Sequence, residues 1–424
     1  MQDITIIKKA LRKGFIQIFS SSFINKVIQF GILMFLTRII GKNLYGKLSY
    51  AQTILNIFLL LEGLGMVSSS LQYCSMQKME EKKLSYFKYA VKIGSLFNVL
   101  IAVAIIVYTS FFTLPVKGST EILFYFSLIP LMTIFFNEIQ TLLRVDFRNT
   151  AYSSLAIINT SLYFAGNIFL GKYLSIKGIV IGRYLSYIIS IAIGVYLVRN
   201  QLRKMRKIQY PERGERREFL KYSIVTCLTN ATSLFLLMMD TFFVGLIIKD
   251  SSVVASYTVA SLIPLNLTFI PMSVITFIYP YFAKHWNDRK WIKDKYTIFV
   301  KYMFIINIII TIILLVFAPY ILKLFPKQYG DSITNFRILS VGYLIAGTFR
   351  IPSGNIMASM KLVKVNFYNS IITGLANIVL NIVLIMNFGS VGASISTVMA
   401  YILSGIISNI YIIRYLRQPN LGEA

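Results

Sequence analysis

Lys26 shares one side of an apolar helical run with Ser22, Asn25 and Gln29, inside the stretch FINKVIQFGILMF (residues 23–35). An ammonium at the centre of a bilayer costs roughly 2.5 to 3.5 kcal/mol even on lenient insertion scales, so such a residue is expected to face protein or a water-filled cavity. Two more polar stripes recur at 100° per residue. One holds Thr226, Thr229, Asn230, Ser233 and Asp240; the other holds Asn366, Asn369, Ser370, Thr373, Asn377 and Asn381. Single Ser, Thr or Asn residues in membrane helices act as glue at about 0.6 kcal/mol per bond. A continuous stripe with an ionisable residue in it points to cavity lining.

Arg350, just before Ile351 and Pro352, and Arg183 are the other cations within apolar runs whose chemistry matters. Arg183 has two readings, snorkelling to the interface or lining the cavity. Lys26 and Arg350, with Arg183, would make a cationic patch suited to phosphate, Arg as a planar fork and Lys as a point charge. Asp240, Glu62 and Glu138 are the acids that would pair with these cations, or carry protons themselves. Pro264 and Pro271 interrupt one run and Pro280 is expected to close it.

No reaction centre is legible. The sequence has no Gly-rich phosphate loop, no paired carboxylates in an external loop and no nucleophile motif, so an enzyme is not expected. Cys74, Cys227 and His285 lie far apart, which predicts neither a disulfide framework nor a metal site.

The elements that must position these residues follow from composition. Of 424 residues 56% are hydrophobic and only 14% charged, with mean hydropathy +0.68, which places the chain among integral membrane proteins. The net charge of +27 sits in short blocks between apolar runs, where it reads as a topology signal and excludes nucleic-acid binding. The N-terminal MQDITIIKKALRKG is charged like the start of a signal peptide. The apolar run behind it continues to about Ile40 without a small-residue cleavage site, so a retained first span is expected.

At about 20 apolar residues per crossing, twelve spans are predicted: 15–38, 48–70, 89–112, 121–141, 151–171, 178–198, 220–248, 253–281, 298–321, 336–358, 367–388 and 390–413. Most of the 43 basic residues then fall on one side, which puts both termini in the cytoplasm. The basic loop RNQLRKMRKIQYPERGERREFLK divides the chain into two six-helix bundles, 1–198 and 220–413, with a linker at 199–219 and a tail at 414–424. An even number of crossings gives the halves one orientation, as in parallel-repeat transporters. YGKLSYA (45–51) and VASYTVA (254–260), opening spans two and eight, form a weak internal echo.

TRIIGKNLYGKLSYA (37–51) resembles the Ala-Arg-x-Leu-Gly…Tyr-Gly signature of polysaccharide exporters in the multidrug/oligosaccharidyl-lipid/polysaccharide (MOP) flippase superfamily. Arg38, Gly41, Tyr45 and Gly46 match, while Thr37 and Ile40 depart. Ala255-x-Tyr257-x-x-Ala260 and the IYP at 278–280 are similar to second-half motifs of that superfamily. The resemblance implies an all-α membrane fold of twelve helices in two pseudo-symmetric bundles around a central cavity, as in multidrug and toxin extrusion (MATE) proteins, working by alternating access. The Wzx-type O-antigen and capsule branch is most similar. It implies a flippase for undecaprenyl-diphosphate-linked oligosaccharide in the bacterial inner membrane, with a polysaccharide polymerase and chain-length regulator as partners. Lys26, Arg350 and Arg183 would hold the head group, and Asn25, Gln29, Asn230, Asn377 and Asn381 would solvate sugar. Asp240 or Glu62 would bind a coupling proton or sodium ion, and no cofactor is expected. The alternatives are a cation-coupled MATE exporter, disfavoured by central cations; a lipid II flippase, disfavoured by twelve spans rather than fourteen; and a polysaccharide polymerase, disfavoured by the lack of a large external loop.

Overall fold

A computed structural model of the chain describes residues 16–360 and 362–417. The predicted N-terminal segment up to residue 15, the end of the tail and the side chains of Ser22 and Ser233 lie outside the described residues. No strand occurs among the described residues, as expected of an all-α membrane protein. The helices are α1 (Ile16–Ile39), α2 (Gly41–Leu59), α3 (Met66–Met76), α4 (Glu80–Phe111), α5 (Ser119–Tyr125), α6 (Ile129–Val145), α7 (Asn149–Leu197), α8 (Arg199–Lys207) and α9 (Arg213–Ile248). They continue as α10 (Ser251–Asn266), α11 (Phe269–Lys284), α12 (Arg289–Leu322), α13 (Ser332–Ile345), α14 (Ile351–Ser359) and α15 (Val363–Arg417).

Six of these stretches are long and apolar enough to cross a membrane, or seven if the bent pair α5 and α6 counts as one span. Merging accounts for much of the difference from twelve. The helix α7 is 49 residues long and α15 is 55, and each contains two predicted spans. Each doubles back at one residue, Ser175 (φ 52°, ψ −132°) and Gly389 (φ 59°, ψ −143°). The reversal brings backbone onto backbone. A Cβ on Gly178 would lie 2.0 Å from the Leu170 carbonyl oxygen, and one on Gly392 would lie 2.0 Å from that of Leu384. Both glycines follow the kink by three residues, so the two hairpins share one register. A buried asparagine clamps each: Asn159 Nδ2 donates to Ser186 O and Ser190 Oγ at 3.1 and 3.2 Å, and Asn369 Nδ2 donates to Ser404 Oγ and Ser408 Oγ at 3.1 and 2.7 Å.

Other spans are broken where backbone polar groups find substitutes, as a membrane interior demands. Between α2 and α3, Gly63, Leu64 and Gly65 all have positive φ. Buried Asn98 bridges that break, its Oδ1 accepting from Gly63 N at 2.6 Å and its Nδ2 donating to Pro130 O at 2.5 Å. Between α13 and α14 a π turn spans Ala346–Arg350. Buried Asn307 sits against it, donating to Thr348 Oγ1 at 3.2 Å and accepting from Tyr343 Oη at 2.7 Å. The eighth span breaks at residues 267–268, between Pro264 and Pro271. Pro280 does not close it, because α11 continues to Lys284. Pro271 falls in the first turn of α11, where a missing N–H costs nothing.

Contacts divide the chain into two compact units, one ending at Phe235 and the other starting at Leu236, so the change falls inside α9. The first part of α9 is held to the first unit by Ser223 Oγ, which donates to Leu64 O at 2.6 Å, and by Phe219, whose ring stacks on Tyr86 and meets Tyr73 edge-on.

Candidate functional site

In the second unit the end of α9 carries Asp240, which is 7% exposed. Its two oxygens are taken from opposite arms of the α15 hairpin. Asn381 Nδ2 donates to Oδ1 at 2.9 Å and Thr397 Oγ1 donates to Oδ2. Asn381 and Thr397 lie eight residues either side of the kink at Gly389, so the reversal sets them face to face. Asn381 also donates to Asn377 O and Oδ1 at 3.0 and 3.1 Å, and Asn377 Nδ2 donates to Ser396 Oγ at 3.2 Å. The Asn381 Oδ1 is buried without a partner, so the cluster keeps spare oxygen capacity beside a carboxylate.

This cluster forms one wall of a cleft enclosing about 450 Å³, its open mouth included, which Asp240, Asn377 and Thr397 line together with Thr373, Arg350 and Tyr401. Arg350 arrives from the π turn. Its guanidinium lies 5.0 Å from the centre of the Tyr401 ring, and it forms no ion pair among the described residues. Aromatic support leaves the fork of donors available, which a carboxylate would have occupied.

The first unit holds a comparable arginine. The Arg183 guanidinium lies 4.5 Å from the centre of the Tyr163 ring and 4.6 Å from that of Tyr187, and Nη2 donates to Tyr187 Oη at 2.8 Å. Tyr187 and Tyr401 each follow their hairpin kink by twelve residues. Glu62 sits at the break in its span, and Asn137 Nδ2 donates to both of its oxygens at 3.3 and 3.2 Å. Glu138 is 1% exposed, with the Ser70 hydroxyl as the polar group set against its carboxyl.

The structure thus gathers Asp240, Asn377, Asn381 and Arg350 at one site, with Glu62 and Arg183 in the other unit. Lys26 and Gln29 are exposed on α1, Asn25 is half-buried beside them, and Asn230 is exposed on α9. The α15 stripe divides by role. Thr373 and Asn377 reach the cleft, whereas Asn366 and Asn369 are interhelical glue, Asn366 donating to Gly354 O at 2.6 Å. Sequence reasoning missed Thr397, Tyr401, Tyr163, Tyr187 and Asn137. The twelve-residue kink-to-tyrosine spacing was the available signal for two of them.

The fold is shared with solved transporters. An inward-facing multidrug resistance MATE transporter of the MOP superfamily superposes with a TM-score of 0.74 at 13% identity, over 92% of this chain and 94% of that one. The lipid II flippase MurJ in an inward closed conformation gives 0.71 at 18%, over 95% and 87%. A MOP superfamily transporter from Pyrococcus furiosus, whose binding pocket is described as reversed in polarity, gives 0.67 at 13%, over 96% of each chain. A comparison with curated protein sequences finds no match. The architecture is therefore that of MOP superfamily transporters, and the chain is a multi-pass membrane protein. Residues 11–286 match the model of the family described as polysaccharide biosynthesis protein, more than half of the sequence. The chain belongs to that family.

Proposed function

We propose that the protein is a flippase that carries undecaprenyl-diphosphate-linked oligosaccharide units, of the kind used for O-antigen, capsule or exopolysaccharide, across the bacterial inner membrane by alternating access. Both termini are cytoplasmic in this reading, because most basic residues lie on that side. A polysaccharide polymerase and a chain-length regulator would receive the product. The observation that carries the reading is Arg350, a guanidinium on the wall of a polar cleft with an aromatic ring beneath it and no ion pair among the described residues. A diphosphate supplies the missing counter-charge, and the Asn and Thr side chains of the same wall match sugar hydroxyls. Arg183 would serve likewise in the first unit, and Lys26 with Asn25, Gln29 and Asn230 on exposed helix faces.

In this reading a coupling ion would bind at Asp240, with Glu62 of the first unit as the other candidate. Asp240, Asn377, Asn381 and Thr397 are all oxygen donors, and the unpartnered Asn381 Oδ1 fits a site that also receives a sodium ion or a proton. An ion bound there would offset the carboxylate charge, and the cluster would bind it differently in the two access states.

The test is transfer of a lipid-linked oligosaccharide in proteoliposomes. R350A is expected to lower the rate by at least about 10-fold and R350K to restore it only in part, since a buried charge-assisted hydrogen bond is worth about 1.5 to 3 kcal/mol. An R350A rate equal to wild type would refute the head-group role.

A further inference from the structure

Two clefts line the α15 face of the second unit and meet at Ile413. The larger of the two is walled by Ile345, Phe349, Ile402, Ile406 and Ile413 and encloses about 810 Å³ with its mouth. The other, about 680 Å³, runs past Tyr296, Val300, Ile412 and Leu416 to end between Lys293 and Arg417. The polar groups of the floor are already engaged. Asn409 Nδ2 donates to Gly405 O at 2.7 Å and Phe349 O at 3.2 Å, and its Oδ1 accepts from Tyr296 Oη at 2.5 Å. The result is one apolar channel with two cations at a single end.

We propose that this channel is a binding site for an anionic glycerophospholipid, with its phosphate between Lys293 and Arg417 and an acyl chain lying along α15 toward Phe349. Charge complementarity selects the head group. Lys293 and Arg417 are exposed and make no ion pair among the described residues, not even with the neighbouring Asp294, while Asp288 is engaged at the start of α12, accepting from Trp291 N at 2.9 Å. Length selects a lipid of one leaflet. From Ile402 to Arg417 the helix rises roughly 22 Å, and half a bilayer with its head-group region measures about 20 to 22 Å. Away from Lys293 and Arg417 the walls have no spare donors for sugar among the described residues, which separates this site from the polar cleft. The inference uses the proposed orientation only to name the leaflet as cytoplasmic, so it stands or falls apart from the cargo.

The full-length protein, incorporated into vesicles of phosphatidylglycerol and phosphatidylethanolamine and then extracted, is examined by native mass spectrometry for retained lipid. Wild type is expected to retain phosphatidylglycerol in preference. The double variant K293A/R417A should lose that preference by roughly 10- to 30-fold, the loss expected for two cations at a lipid surface. I413W, which fills the junction of the clefts from an exposed position, should reduce retention of both lipids, and gel filtration confirms that each variant remains folded. The proposal is overturned by wild type without preference, by K293A/R417A that keeps it, or by I413W that retains lipid like wild type. Displacement of phosphatidylglycerol by equimolar polyprenyl phosphate would also overturn it, by giving the channel to the cargo lipid.

Discussion

Arg350 and Arg183 rest on tyrosine rings, while the buried acids of the same units are engaged by amides and hydroxyls. A guanidinium held by an aromatic face keeps most of its donors available, Arg183 committing only Nη2 to Tyr187, which suits a site whose partner comes and goes. Glu138 shows the other side of this economy. A fully buried carboxyl with no ion pair among the described residues and only the Ser70 hydroxyl against it is costly to keep, and an apolar side chain of similar size removes that cost. E138L is expected to raise stability by about 1 to 3 kcal/mol, read as a higher melting temperature of the detergent-solubilised protein; a lower one would count against an unpaired carboxyl. The sequence made Lys26, Arg183, Arg350 and Asp240 conspicuous because charge in an apolar run is rare. Thr397 was invisible for the opposite reason, since a threonine on a membrane helix is ordinary until a carboxylate is placed opposite it.

The elements were legible wherever a break carried its own chemistry. Predicted gaps at 172–177 and 389 bracket the reversals at Ser175 and Gly389, and Pro264 and Pro271 bracket the break in the eighth span. The π turn was only partly legible: Gly347 and Pro352 flank it in sequence, but Asn307, which packs against Gly347, is distant in the chain. The hairpins give the sharpest expectation. Ser175 occupies a left-handed φ that its counterpart fills with glycine, and such a conformation costs an L-residue roughly 1 to 2 kcal/mol. S175G should therefore stabilise the protein by about 1 kcal/mol in thermal unfolding. G178A should abolish the tight reversal, its methyl meeting a backbone oxygen that cannot step aside, and is expected to reduce the yield of monodisperse protein sharply.

At the scale of the molecule, the fold class followed from hydropathy and the position of charge, and the order of short motifs pointed to the superfamily whose solved members share the architecture. Boundaries within the chain were less legible, because packing of Ser223 and Phe219 against the first unit carries the start of α9 with it, and no composition shift records that. Long-range polar links between helix starts were equally hidden. Lys82 Nζ donates to Glu215 Oε1 at 2.6 Å and joins the beginnings of α4 and α9. The hydrogen bond and charge of Lys82 hold the Glu215 carboxyl below its usual range. Its contribution is complete above the ordinary carboxylate value and is lost as pH falls through the lowered one. Being largely exposed, the pair adds a small increment. E215Q should lower the melting temperature slightly at neutral pH and remove a matching part of the acid-side fall below about pH 5, the two forms converging in acid.

The π turn at Ala346–Arg350 also governs direction. Phe349 looks into the apolar channel and its neighbour Arg350 into the polar cleft, so consecutive side chains serve greasy and wet compartments. An extra residue in a helix turns everything beyond it by about 100° relative to a plain helix. The bulge thus acts as an indexing step: without it, the same amino acids in the same order would aim the guanidinium elsewhere, and the cleft would lose its charge with no side chain altered.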